Sequence, residues 1–371
     1  MTKKQKAIFP SKEAKKSIRP VFVVSQRTIS EFALFLRYLL IGLADESIRS
    51  VLVCPPKLDI EPLVYSSTEV IRDTVFALPG LWRQNNRVLI DRLRKFGPTV
   101  LHCLCESRAL FTRQLAGQLG LPYVLTVNSL QKKRSELPIS LSRCAKITAP
   151  AKSIAENIEK LYPGFDRRIE QINIGTFARK STDCFSNPSR LRGIVTAMPR
   201  SDRYGFENLL GAVKNLAISG YEFMLVVIAD GIAEKQLRSS LVRLGLLQIV
   251  TVIPASEPWR SVLEAGDIFV HYRPRDTFDV LLLEAMAVGT AVAACKGGVD
   301  DLVVDDATAV VFDANNELSI RSSLQRLFDR TELAKRLANC AQDYARENHT
   351  VSGMISAFLR IYSDAQNGKN S

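Results

Sequence analysis

The sequence predicts an α/β protein made of two doubly wound parallel sheets in series, and three observations carry that expectation. Short apolar, β-branched runs recur, among them VFVV (Val21–Val24), SVLVC (Ser50–Cys54), FMLVVIA (Phe223–Ala229) and AVAAC (Ala291–Cys295); runs of this length suit strands buried on both faces. Stretches of helix length separate them, which is the alternation of a doubly wound sheet. The series is interrupted at residues 178–190 (ARKSTDCFSNPSR), which are polar and irregular, and 371 residues exceed one core, at ~150 residues per domain.

Pro20 closes a basic lead-in, and Val21–Val24 is the first strand. Ser30 is placed to cap the next helix, where Leu34, Leu36, Leu39, Leu40 and Leu43 leave little polar surface. SVLVC is the second strand, closed by Pro55 and Pro56. Thr99–Leu104 reads as a strand, Arg108–Leu119 as a helix, and Tyr123–Val127 as a strand after the turn Gly120-Leu121-Pro122. Lys146–Pro150 and Ile169–Gly175 read as strands with a helix between them, and 178–190 as the linker.

Beyond the linker, strands are expected at Gly193–Met198, Phe223–Ala229, Ile249–Ile253, Ile268–Tyr272, Ala291–Cys295 and Ala309–Phe312. Helices are expected over Phe206–Ala217, Ala233–Leu244, Trp259–Glu264 and Val280–Val288, then over Ser319–Asn348 and Val351–Ala365. The implied organisation is a basic tail (1–19), a first Rossmann-like domain (20–185), a second (186–348) and a last helix (349–366). Two such domains in series make the cleft between them the expected site.

Charge divides the chain. Residues 1–190 hold 31 Lys and Arg against 16 Asp and Glu, a balance of +15, whereas residues 191–371 stand at −3. The basic half suits an anionic acceptor or an anionic membrane surface; no recognised binding motif accompanies the charge, so nucleic acid is not an expected partner. The seven Lys and Arg of the first twenty residues read as a solvated tail or a membrane-surface tether. They lack the apolar core of a secretory signal. The most apolar segment, Phe32–Ala44, has 13 residues with Arg37 inside, short of the ~18–20 needed to span a bilayer. The seven scattered cysteines and three separated histidines have no zinc-like spacing, so reduced thiols, no metal and a cytoplasmic setting are expected.

The stretch 276–301 carries the chemistry. Asp276 precedes a helix and Glu284 lies on it, eight residues later. Phe278-Asp279-Val280 enters that helix at the carboxyl end of a strand, where free backbone N–H groups make an anion site. Gly297-Gly298 follows the next strand and allows a tight turn with close backbone approach to a ligand.

DTFDVLLLEAMAVGTAVAACKGGVDDLV resembles the donor-site segment of glycosyltransferase family 4 (group 1), the GT-B nucleotide-sugar transferases, in Phe278, Glu284-Ala285-Met286-Ala287, Gly289, Val292, Gly297-Gly298 and Asp301. Met198-Pro199-Arg200 with Gly205 resembles the family's phosphate-contacting G-R-x(4)-K-G segment, Leu225–Gly231 its strand-turn, and residues 102–128 its acceptor-domain strands and helix. Residues 347–362 resemble the terminal helix that returns to the first domain.

The resemblance implies a GT-B fold and transfer of a sugar from a nucleotide-diphosphate donor, as substrate rather than cofactor, to a saccharide or lipid-linked acceptor in polysaccharide assembly. It implies retention of configuration and no metal. The missing signal and the basic first half lead to the expectation of cytoplasmic work, peripheral at the inner face of the membrane. Arg200 would neutralise the departing diphosphate and Asp276 would hold hydroxyls of the transferred sugar. Glu284 would hold the ribose, the amides of Asp279 and Val280 the phosphates, and Phe278, Arg203, Gly205, Gly297 and Gly298 would complete the donor pocket. Asn128 and His102 would lie on the acceptor side.

The chain departs from the pattern at several positions. Asp276 stands for the usual Glu, Asp279 for a glycine, Tyr204 for a phosphate-binding lysine and Asn128 for an acceptor-side histidine; Arg203, Arg273 or Arg275 could supply the missing cation. Ala229 and Pro254 replace further glycines. Taken singly, Glu284 also fits a dipole-stabilising carboxylate, Arg200 a surface arginine, Gly297-Gly298 a plain turn, and His102 and His271 core histidines. A catalytically impaired homologue acting in binding or assembly, and a sugar-nucleotide epimerase, are therefore the alternative readings.

Overall fold

The computed structural model describes residues 17–56, 67–73, 82–133, 137–187, 189–198, 206–229, 231–254 and 259–368. The first sheet contains β1 (Pro20–Val23), β2 (Ser50–Cys54), β3 (Thr68–Arg72), β4 (Val100–Cys103), β5 (Tyr123–Thr126), β6 (Cys144–Ala149) and β7 (Ile169–Gln171). All its pairings are parallel, in the order β3-β2-β1-β4-β5-β6-β7. Helices α1 (Gln26–Glu31), α2 (Ala33–Asp45), α3 (Trp82–Phe96), α4 (Ala109–Leu119) and α5 (Lys152–Leu161) connect its strands.

The second sheet contains β8 (Arg192–Met198), β9 (Phe223–Ala229), β10 (Val250–Ile253), β11 (Ile268–His271), β12 (Ala291–Cys295) and β13 (Val310–Phe312), in the order β10-β9-β8-β11-β12-β13 and again parallel. Its helices are α6 (Phe206–Ile218), α7 (Gly231–Leu244), α8 (Trp259–Ala265), α9 (Val280–Val288), α10 (Glu317–Asp329) and α11 (Thr331–Asn348), and α12 (Val351–Gln366) ends the chain. Strand order reverses once per sheet, at β1/β4 and at β8/β11. Ligands of open α/β sheets bind in the crevice beyond the carboxyl ends of the strands at such points.

The strands expected from continuous apolar runs form, and β1, β2, β4, β5 and β12 are buried along their whole length. Three local features differ. The hydroxyl that caps the first helix is Ser25, not Ser30: Ser25 Oγ accepts from Thr28 N at 3.1 Å while Thr28 Oγ1 accepts from Ser25 N at 3.3 Å, a reciprocal box. Ser30 sits inside the turn and donates to the Arg27 carbonyl, and the expected single helix breaks at Phe32 into α1 and α2.

β3 and α3 were not legible. β3 is an edge strand with Glu69 and Arg72 exposed, and among the described side chains of α3 Leu89, Ile90 and Leu93 are the buried apolar ones, in a polar sequence. The expected helix over Ser319–Asn348 divides at Arg330, and it starts earlier because Asn316 Oδ1 accepts from Leu318 N and Ser319 N. No helix among the described residues is long and apolar enough to cross a membrane.

α12 lies on the first sheet side, against α2, β4 and β6. Its Tyr362 hydroxyl is 2.6 Å from His102 Nδ1, and His102 Nε2 is 2.7 Å from Thr126 Oγ1. The ring has no exposed surface, and burial lowers its pKa to about 3. His102 is therefore a core residue that joins β4 to the last helix, which corrects the acceptor-side expectation: both nitrogens are engaged and none faces the cleft.

Because the folded pKa lies below the unfolded value of about 6.5, the unfolded chain takes up the proton first as pH falls. His102 thus contributes stability that is complete above pH 6.5 and declines toward pH 3, by at most ~1.4 kcal/mol per pH unit. Urea unfolding between pH 7 and 5 measures this slope, and it should flatten in His102→Gln; an unchanged slope would contradict the assignment.

Candidate active site between the two sheets

The carboxyl ends of β1, β4 and β5 open onto a cavity of about 410 Å³ lined by residues including Ser25, Thr28, Cys105, Glu106, Asn128 and Thr277. Thr277 belongs to the chain following β11, so both halves of the protein contribute to the wall. Glu106 organises the floor. Its Oε1 accepts from Asn128 N, from Ser129 N at 2.8 Å and from Ser129 Oγ at 2.9 Å. Burial pushes its carboxyl up, against the pull of those hydrogen bonds.

Asn128 donates to the Leu104 carbonyl at 2.8 Å and is 3% exposed, and its Oδ1 has no partner among the described residues. An unsatisfied buried amide oxygen on a cavity wall is a ready acceptor for a ligand hydroxyl. The Cys105 thiol on the same wall is lowered to about 5 by its hydrogen bond with Cys103, and further by Thr28, Ser25 and Ser107, against burial.

The two halves are pinned together beside this cavity. Leu130 N donates to the Asp276 carbonyl at 2.7 Å, Phe278 N donates to the Asn128 carbonyl at 2.9 Å, and Ser129 and Thr277 form an antiparallel bridge. The Asp276 side chain stays outside this strap, 61% exposed, with Lys132 Nζ 3.9 Å away. Phe278 is buried and stacks on His349 at 6.3 Å between ring centroids. Ser153 N and Oγ both donate to the Asp301 carboxylate, a further tie between the halves.

At the β8/β11 switch point Asp279 caps α9. Its Oδ1 accepts from Leu281 N at 3.0 Å and Leu282 N at 3.2 Å. Its Oδ2 lies 3.0 Å from His271 Nδ1 and 3.2 Å from Arg275 Nη1. Against burial, which acts to raise it, Arg275 and then His271 hold the Asp279 carboxyl well below the usual carboxylate range. Arg275 also reaches Glu31 of α1 at 3.5 Å.

Val280 opens the helix, buried. Gly298 has φ +69° and forms a bridge with Arg275, and an added Cβ would stand 2.2 Å from the Arg275 carbonyl oxygen, so only glycine fits. Gly297 N donates to Asp300 Oδ2 at 2.9 Å. Arg200, Arg203 and Gly205, which follow β8, lie outside the described residues, as does Tyr204.

Glu284 stands apart from that group. Its carboxylate is 1% exposed and takes hydrogen bonds from Thr176 Oγ1 at 2.6 Å, Arg260 Nη1 at 2.7 Å and Tyr38 Oη at 3.3 Å. Burial pushes its carboxyl up while Thr176, Arg260 and Tyr38 pull it down; the Tyr38 phenol, buried beside it, is pushed up to about 12. Arg260 also donates to the Phe177 carbonyl. In this structure both oxygens of Glu284, the expected ribose ligand, are engaged by α2, the 172–191 connection and α8. Among the described residues Glu284 and the Gly297-Gly298 turn share no partner, and neither lines the 410 Å³ cavity. Residues missed by the sequence reading are Glu106, Thr176, Tyr38 and Arg260, whose surroundings carry no local signal.

Two parallel sheets that meet through the carboxyl ends of their strands, with a final helix packed back on the first, define the GT-B class of α/β proteins. Residues 192–344 match the model of the glycosyl transferases group 1 family. Over that segment, which spans the second sheet, the chain is similar to the family. It is 25% identical over 273 residues to a D-inositol 3-phosphate glycosyltransferase from Corynebacterium diphtheriae, covering 70% of this chain and 60% of that relative's length. Its fold is that of a Rickettsia africae glycosyltransferase, with TM-score 0.78 and 14% identity over 94% of this chain and 99% of that one. It is equally that of Anabaena HepE in complex with UDP and glucose, with TM-score 0.78 and 15% identity over 94% of this chain and all of the other.

Glu284→Ala should destabilise the protein by about 3 kcal/mol in chemical unfolding, the low end for breaking a buried ion pair, because Arg260 keeps 26% of its side chain exposed. A loss under ~0.5 kcal/mol, the size of an ordinary surface change, would refute the structural weight given to this carboxylate.

Proposed function

We propose that this chain transfers a sugar from a nucleotide-diphosphate donor to a saccharide or lipid-linked acceptor. The observation that carries this reading is the group 1 match over 192–344, which spans the sheet whose β8/β11 switch point is joined through the strap to the 410 Å³ cavity of the first sheet. Donor and acceptor so placed would meet beside Asp276 and Thr277. The bond from the sugar to the phosphate oxygen breaks as an acceptor hydroxyl takes its place, so positioning and stabilisation of the departing diphosphate dominate the chemistry.

In this reading Arg200 and Arg203 neutralise the diphosphate, Asp276 holds hydroxyls of the transferred sugar, and Asn128 accepts from the incoming hydroxyl. Transfer proceeds with retention, and cationic side chains stand in place of a metal. The relative named for D-inositol 3-phosphate and the HepE complex with UDP and glucose support the pairing of a nucleotide sugar with a hydroxylated acceptor. The acceptor belongs to cell-surface polysaccharide assembly, and the basic first half holds the protein in the cytoplasm against an anionic membrane face.

Calorimetric titration with UDP, GDP, ADP and TDP, followed by assay of donor hydrolysis, tests the activity. Binding with slow hydrolysis is expected. A second reading, a GT-B homologue that binds or assembles without transfer, is favoured by the Asp279 carboxylate at the helix N-terminus, and absence of both binding and hydrolysis would select it. Flotation with liposomes should increase with anionic lipid and fall with added salt, at about 1 kcal/mol per well-placed Lys or Arg; flotation independent of lipid charge would remove the membrane proposal.

A further inference from the structure

The β8/β11 crevice has the features of an anion site, and one anion already occupies it. The inference rests on the nucleotide-donor reading and concerns how tightly that donor is held. Helix α9 has nine residues, and its first turn presents backbone N–H groups at the carboxyl edge of a parallel sheet, where phosphates bind in folds of this kind. Two of those groups, Leu281 N and Leu282 N, are taken by Asp279 Oδ1. His271 and Arg275, which face the same point, are drawn onto Asp279 Oδ2.

A second feature points to a ligand independently. The Tyr272 hydroxyl, on a side chain 3% exposed, has no hydrogen-bond partner among the described residues. Tyr272 lines the small hollow, about 20 Å³, that Asp279, His271 and Arg275 also line. A buried hydroxyl left without a partner is uncommon in a folded protein and marks a place where a ligand or water completes the network. The hollow is too small for a phosphate while the Asp279 carboxylate stands in it.

We propose that Asp279 is a specificity-determining residue of the donor site: its carboxylate occupies the position of a donor phosphate oxygen at the start of α9 and sets the affinity for nucleoside diphosphates low. A diphosphate reaches Leu281 N, Leu282 N and Arg275 only by turning this side chain away, and it meets a like charge as it does so. The crevice therefore favours donors whose remaining contacts, to base and sugar, are strong enough to displace the carboxylate, and it rejects free inorganic phosphate and pyrophosphate.

The test compares wild type, Asp279→Asn and Asp279→Gly in calorimetric titrations with UDP, GDP, ADP, TDP and pyrophosphate. Asn keeps the capping oxygen and removes the charge, so it preserves α9; circular dichroism and unfolding midpoints check that both variants are folded. Affinity for the bound diphosphate should rise at least tenfold in Asp279→Gly and several-fold in Asp279→Asn, with pyrophosphate binding detectable in the variants alone. If wild type binds a diphosphate and neither variant binds it more tightly, the inference is overturned while the donor reading stands. If no diphosphate binds to any of the three proteins, both are overturned.

Discussion

Helix α9 has no solvent face. All nine of its residues are buried, packed on α8, α11 and the strands β11 and β12, so each polar group it carries must find a partner inside the protein. That constraint organises the middle of the molecule. Asp279 satisfies the amino end of the helix and gathers His271 and Arg275, while Glu284, one turn further in, gathers Thr176, Arg260 and Tyr38. Gly289 ends it in the left-handed conformation at φ +86°, with Thr182 so close that a side chain there would collide.

These two carboxylates do different work. The Glu284 cluster draws on α2, α8 and the connection between the sheets, and so fixes how the halves sit around the helix. The Asp279 cluster faces the crevice, and through Arg275 it touches both Glu31 of the first half and the Gly298 turn. The strap between 128–130 and 276–278 lies next to it and lines the 410 Å³ cavity. Structural closure and the chemistry proposed for the cleft thus share one short segment, 275–279.

Much of the architecture was legible because buried parallel strands are written as uninterrupted apolar runs, and the EAMAxG string lies on α9 as expected. Elements with one-sided or sparse burial were not. β3 pairs along one edge and α3 presents few apolar residues, so neither rises above its polar surroundings. Ser25 and Ser30 are equivalent as letters, and the break at Phe32 decided which hydroxyl would cap. His102 read as a cleft-edge residue, yet α12, 260 positions along the chain, closes over it.

The amino-acid sequence by itself determined the alternation of strands and helices, the division of charge between the halves, and the donor-segment string that resembles the group 1 transferases. The tertiary structure alone decided which atoms satisfy each carboxylate: Glu284 meets Tyr38 from 246 residues away and Thr176 from 108, and Glu106 holds a loop more than twenty positions on. The reason is physical. Burial and periodicity are properties of a local run and can be read from it, whereas a buried charge is stabilised by whichever distant donors the fold brings within about 3 Å, and no local pattern records that meeting.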